Sequence, residues 1–128
     1  LLVFALDGKD RLPPYSPPPP PTGPIVAAMP ADATAIAAGD RLFGRFCLRC
    51  HGSGAVSAGA YPDLRLSPQV MSQAFEQIVL KGALAPAGMP GFAGKLNQRD
   101  LAAIRAYLGK RSYEDFGGKP QPGKGTKP

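Results

Sequence analysis

Both cysteines of this chain and its only histidine fall within five residues, Cys47-Leu48-Arg49-Cys50-His51. That spacing constrains whatever fold surrounds it. Residues i and i+3 of a helix lie on one face, so Cys47 and Cys50 present two sulfurs along one edge and His51 turns in beside them. The pattern C-x-x-C-H reads as an attachment site for one covalent haem c. Cys47 and Cys50 form thioethers to the porphyrin, and His51 is an axial ligand of its iron. The competing readings are weaker. A structural zinc asks for four ligands, and the chain has only two cysteines and one histidine. A thioredoxin-like redox pair sits near a βαβ pattern, and none surrounds this motif. With both cysteines used, no pair remains for a disulfide framework.

A length of 128 residues suits one small domain with tails. The chain is 44% apolar but has no Trp, and its 16 Gly and 16 Pro imply much irregular backbone. A buried macrocycle enlarges the core of such a domain. The net charge of +6 is moderate and dispersed. Basic stretches interleaved with aromatics are missing, which argues against nucleic acid as a partner. No apolar run approaches the roughly 18–20 residues of a membrane span. The opening run Leu1 to Leu6 is too short for a secretory core and has no basic stretch ahead of it, so an export signal is expected outside this sequence.

Four zones are expected. Residues 1–12 hold an apolar, strand-like run and a polar turn. Residues 13–30 form a proline-rich linker, with Pro17 to Pro21 unbroken and suited to a polyproline II spacer. Residues 31–111 form a compact helical domain, and 112–128 a mobile, basic tail rich in Gly, Pro and Lys. Three helices are legible in the domain. The first runs from about Ala33 to Cys50, capped by Asp32 or Thr34, with Ile36, Gly39, Phe43, Phe46, Cys47 and Cys50 on one face. The second starts at Ser67-Pro68, carries Val70, Ala74, Phe75, Ile78 and Val79, and stops at Gly82. The third opens on Asn97 with Asp100 three residues on, carries Leu101, Ile104, Tyr107 and Leu108, and ends at Gly109.

His51 leaves the other side of the iron open, and three methionines compete for it. Met29 lies in a proline-flanked lead-in, and Met71 near the start of the second helix, where a core role is as natural. Met89 lies in Ala85-Pro86-Ala87-Gly88-Met89-Pro90-Gly91-Phe92, a loop stiffened by prolines in which glycines permit close backbone approach. Met89 is the expected second axial ligand. Thioether with imidazole raises the potential of the iron and closes it to small ligands, which favours electron transfer over gas binding or peroxide chemistry.

From about Ala33 to Leu108 the chain resembles the class I cytochromes c. Gly39 and Phe43 look like the Gly-x-x-x-aromatic pattern of that family's first helix, and Ile104-Arg105-Ala106-Tyr107-Leu108 like its last. The resemblance implies an all-α fold of three main helices around one haem. Gly39, Phe43 and Tyr107 would form the helix crossing. Tyr61-Pro62-Asp63-Leu64 resembles the family's Pro-Asn-Leu loop, with Asp63 in place of the commoner Asn. It implies that the Pro62 carbonyl accepts from Nδ1 of His51, a bond that orients the ligand. Tyr61, Leu64 and Phe92 are expected against the haem. Arg65 is expected to neutralise a haem propionate, since a guanidinium matches a carboxylate and keeps its charge when partly buried.

The segments Asp63-Leu64-Arg65, Phe75 to Ala83, Gly88-Met89-Pro90 and Ile104 to Leu108 further resemble the carboxy-terminal haem domain of quinohaemoprotein alcohol dehydrogenases. Leu1 to Pro14 resembles the exit from the propeller domain of those enzymes. This implies a bacterial, periplasmic or secreted electron-transfer domain that takes single electrons from a pyrroloquinoline-quinone (PQQ) dehydrogenase domain in cis. It would hand them to an external acceptor: a cytochrome, a copper protein or a quinone. PQQ and calcium are expected only in the other domain of that enzyme, and no catalytic residue is read here. A stand-alone soluble periplasmic cytochrome c is the alternative. A haem enzyme or sensor with an open iron is a third. The electron port is expected at an exposed rim of Leu48, Gly59, Ala60, Tyr61, Ala87 and Gly88.

Overall fold

A computed structural model describes residues 9, 14, 23–57 and 59–117. The strand expected within residues 1–12, the proline run Pro17 to Pro21 and most of the tail lie outside them. The described residues contain helices and turns and no strand. Four α-helices appear: α1 (Ala33–Phe46), α2 (Leu48–His51), α3 (Ala74–Val79) and α4 (Gln98–Phe116). Short 3-10 turns stand at Ser53–Ala55, Pro68–Met71 and Ala85–Ala87.

Helix α1 starts where Asp32 accepts a hydrogen bond from the Ala35 N–H at 2.9 Å, which satisfies one of the free donors of the first turn. Of the two caps expected, Asp32 serves. The helix does not run unbroken to Cys50 as expected. Cys47 (φ −119°) ends α1, its N–H bonding the Phe43 carbonyl, and one further turn then carries the motif to His51. Helix α4 opens on a full capping box. Asn97 accepts from the N–H groups of Arg99 and Asp100 while Asp100 accepts from that of Asn97, as its sequence predicts.

The core is built where α1 lies on α4. Phe43, Leu101, Ile104 and Leu108 are all but fully buried, and the Phe43 and Tyr107 rings pack with centroids 5.3 Å apart. Gly39 makes this approach possible. A Cβ at that position would stand 2.0 Å from the Ala103 carbonyl oxygen and 2.8 Å from Tyr107 Cβ. Val70, Phe75, Val79 and Leu96 complete the core.

Two expectations about helix ends are corrected. The second helix is interrupted. Ser72 is extended, and its hydroxyl accepts from the Ala74 N–H, the local competition with helix that serine offers. Arg105 on α4 donates to the carbonyls of Val70 and Ser72 and lies over the Phe75 ring, so the break is held from outside. The third helix does not end at Gly109. It continues to Phe116, five residues into the segment expected to be a tail. Gly109 is buried inside it because the lead-in packs there. A Cβ on Gly109 would meet Val26 at 3.1 Å and Pro30 at 3.2 Å. Ion pairs from Lys110 to Glu114 and from Arg111 to Asp115 support the extra turns.

Replacing Gly39 with Val should destabilise the folded chain by about 3 kcal/mol or more, since the obstructing atom is backbone and cannot step aside. Urea denaturation checks this; an unchanged midpoint would mean that α1 and α4 tolerate separation.

Candidate haem-binding site

The motif sits at the end of the best-packed helix. Cys47 is half-buried and in contact with the core, Cys50 is exposed, and neither is in a disulfide. Burial, with Cys50 beside it, pushes the Cys47 thiol up to about 11, so it is uncharged at neutral pH. His51 is 8% exposed, and burial lowers its pKa against the opposing influence of the Pro62 backbone. Its Nδ1 is buried and has no hydrogen bond of good geometry, so the Pro62 carbonyl, expected to accept from it, stands close without completing the bond. The Tyr61 ring lies 5.9 Å from that of His51.

Met89 is half-buried against the core together with Phe46, Cys47, Leu64, Leu80 and Phe92. Phe46 and Phe92 meet edge to face at 6.0 Å. The three methionines are thus separated. Met29 and Met71 are both exposed, and Met71 lies beside Gly109 near the lead-in. Of the three, Met89 alone is packed, like Cys47, against the core. Its loop is fastened at both ends: the Met89 N–H bonds the Leu84 carbonyl at 3.1 Å and the Phe92 N–H the Val79 carbonyl at 2.8 Å. Between them the backbones of Gly82 and Gly91 touch, where a Cβ on either would stand about 3.0–3.1 Å from the other's amide nitrogen. That contact was not foreseen, though the two glycines bracketing the loop are its signal.

Arg65, expected beside a haem propionate, has protein partners as well. Its guanidinium binds Asp63 through Nε at 3.0 Å and NH2 at 2.6 Å, and Asp115 through NH1 at 2.8 Å, and it covers the Phe116 ring. Two carboxylates already answer its charge, so what the described residues give it is a junction between the Pro62 loop and α4. The exposed residues Leu48, Gly59, Ala60, Tyr61, Ala87 and Gly88 all reach the surface. A shallow cleft lined by Asp40, Gly44, Leu48, Ser53, Lys110 and Arg111 holds neither expected iron ligand.

Two sulfurs one turn apart, a buried imidazole with an unpaired nitrogen, and a half-buried apolar layer ending in a thioether suit a covalently attached, apolar macrocycle. The fold and the motif define a cytochrome c-type haem domain of the class I fold. Residues 34–108 match the family described as cytochrome c oxidase, cbb3-type, subunit III, and the chain belongs to that family; its cofactor is covalent haem c. It is 45% identical over 116 residues to quinohemoprotein alcohol dehydrogenase ADH IIB of Pseudomonas putida, covering 91% of this chain and 17% of that one. It is 33% identical over 119 residues to the dehydrogenase subunit of the alcohol dehydrogenase (quinone) of Gluconobacter oxydans, covering 91% and 15%. The solved structure of quinohemoprotein alcohol dehydrogenase ADHIIG from Pseudomonas putida superposes with a TM-score of 0.68 at 33% identity, over 88% of this chain and 16% of that one. The chain therefore spans about a sixth of the length of these relatives. Among the described residues no helix is long and apolar enough to cross a membrane.

The Asp63 carboxyl is held below its usual range. Burial pushes it up, and its bonds with Arg65 outweigh that. A carboxyl depressed by folding stabilises the fold above its unfolded pKa, about 3.9, and loses that contribution as pH falls through the folded value. Asp63→Asn should cost about 1 kcal/mol at neutral pH, solvent reducing the larger value of a buried pair. It should also flatten the loss of stability below about pH 4. Denaturation at neutral and acid pH checks both; parallel pH curves for variant and parent would exclude Asp63 from the acid limb.

Proposed function

We propose that this chain is the electron-transfer domain of a bacterial, periplasmic PQQ-dependent alcohol dehydrogenase. It takes single electrons from a dehydrogenase domain in cis and delivers them to an external acceptor protein or quinone. The observation that carries this reading is the extent of the likeness. The family match covers 75 residues (34 to 108), while the likeness to ADH IIB covers 116. At least 41 aligned positions (116 − 75) thus lie outside the stretch that the family model matches, and the likeness reaches beyond what the shared haem motif and helices of a free carrier would require.

When bound, the haem supplies a reversible one-electron couple. The protein's part is to hold, seal and tune it. Cys47 and Cys50 would tether it, and His51 and Met89 would hold its iron. A thioether opposite an imidazole favours the reduced iron. With both residues on the iron, small ligands would be kept out and the site would exchange electrons without binding a substrate. Leu64, Leu80 and Phe92 keep water from the site, and a drier site resists change in its surroundings as charge comes and goes. The rim of Leu48, Gly59, Ala60, Tyr61, Ala87 and Gly88 is small or apolar, which suits a brief, small-area encounter with an acceptor.

Met89→Ala should lower the midpoint potential by on the order of 0.1 V and open the iron to carbon monoxide, whereas Met71→Ala should do neither. Redox titration and carbon monoxide difference spectra decide this, and the opposite pattern would move the ligand to Met71. In the whole enzyme, adding alcohol should reduce the haem within a turnover, and Ala87→Glu should slow its reoxidation by the acceptor. Alcohol consumption with the haem left oxidised would defeat the proposed role, and unaltered reoxidation in Ala87→Glu would put the port elsewhere.

A further inference from the structure

The two segments that flank His51 are both fastened to the end of α4 that the sequence did not predict. One is the Ser53–Ala55 turn. Gly54 and Ala55 there adopt consecutive left-handed conformations (φ 63° each), and Ala55 is wholly buried. A non-glycine residue in that region persists only where its surroundings enforce it. Arg111 Nε donates to the Gly54 carbonyl at 3.2 Å, three residues beyond His51. The other segment is the Pro62 loop. Arg65, three residues beyond Pro62, is gripped twice from α4. Asp115 takes its guanidinium at 2.8 Å, and the Ser112 hydroxyl donates to its backbone carbonyl. Ser112 is 0% exposed, and its oxygen also accepts from the Ile25 N–H of the lead-in at 2.9 Å. A hydroxyl donates one bond and accepts others, so this one joins lead-in, loop and helix. Asp115 joins the two grips, since it also binds Arg111 at 3.0 Å.

We propose that Arg111, Ser112 and Asp115 are positioning residues that set the orientation of His51 as an iron ligand by holding the chain on both sides of it. The inference rests on His51 ligating the iron, as proposed above. His51 Nδ1 faces the Pro62 carbonyl without completing a bond in this structure; closure of the bond in the haem-loaded chain depends on the placement of the loop, and that placement depends on Arg65. Loosening Arg65 weakens the bond, makes the imidazole a less basic ligand and disfavours the oxidised iron. Truncating Ser112 also leaves the Ile25 N–H and the Arg65 carbonyl without a partner.

The chain has one histidine, so nitrogen-15 histidine labelling gives a single assignable ring. In the haem-loaded full chain, Ser112→Ala and Asp115→Asn should each speed hydrogen exchange at His51 Nδ1 by about tenfold, the factor of roughly one hydrogen bond, and raise the midpoint potential. Asp115→Glu should restore both. Glu76→Gln removes an equal charge from a surface pair with Lys81, away from Arg65, Arg111 and Asp115, and should leave the exchange rate unmoved. Should Ser112→Ala not fold, the half-exposed Asp115→Asn carries the test. Lower melting temperatures with exchange and potential unchanged would make these residues merely structural and overturn the inference. A parent chain whose histidine shows no ligation to iron would instead overturn the functional reading beneath it.

Discussion

The structure depends on the contact of α1 with α4 at Gly39. Two helices whose backbones touch leave little freedom of slide or rotation, because any shift drives Gly39 into the Ala103 carbonyl or Tyr107 into Phe43. Helix α1 ends at the first cysteine of the haem motif, so the position of Cys47 follows from that contact. Helix α4 runs on past it and reaches the segments on either side of His51. One interface therefore sets both the haem attachment point and its proximal support. The remaining elements, α3 and the turns, are added to this pair and close the site from the Met89 side.

The site is assembled from opposites. Cys47 and His51 are drawn toward the interior by helix packing, and burial disfavours charge on both. Met89 comes from an irregular loop, but one that hydrogen bonds to Leu84 and Val79 and the Gly82–Gly91 contact make stiff. In the role proposed for Met89 such stiffness is an advantage, because the ligand need not move as the iron changes charge. The loop's glycines act here through backbone proximity: without side chains, two stretches of chain pass so closely that a Cβ on either would force its neighbour to shift.

Much of this was legible in the sequence, for identifiable reasons. The haem motif is local, and so are the Asp32 cap and the Asn97–Asp100 capping box; each depends on residues within one turn. Phe43, Leu101, Ile104, Tyr107 and Leu108 follow from periodicity, and all are buried. What the sequence hid depends on contacts from elsewhere. Gly109 reads as a helix stop, yet the lead-in fills the space beside it and the helix continues. Ser72 interrupts a regular apolar pattern through a hydroxyl bond that competes with the helix, and Arg105, more than thirty residues away, secures the break. Arg65 reads as a free cation beside a haem loop. Its partner Asp115 lies fifty residues on, in a stretch whose Gly and Pro content suggested a tail. The i to i+4 pairs Lys110–Glu114 and Arg111–Asp115 were a signal of continuing helix that the weight given to Gly109 concealed.

The lead-in gives α4 a further role. Val26 and Pro30 rest at Gly109, and the Ile25 N–H bonds Ser112, so the chain enters the domain along the same helix face that carries the grip on Arg65. A linker that met the domain at any other point would lose the bond from the Ile25 N–H to Ser112, a loss of about 1 kcal/mol. Entry and proximal support are in this way tied to one hydroxyl. Whatever fixes the lead-in on α4 also fixes the Arg65 carbonyl, and through three residues of chain the Pro62 carbonyl that His51 faces. The same geometry explains why a small domain, short of large aromatic side chains and rich in Gly and Pro, holds its ligand loop firmly: its order comes from a few bonds converging on one long helix.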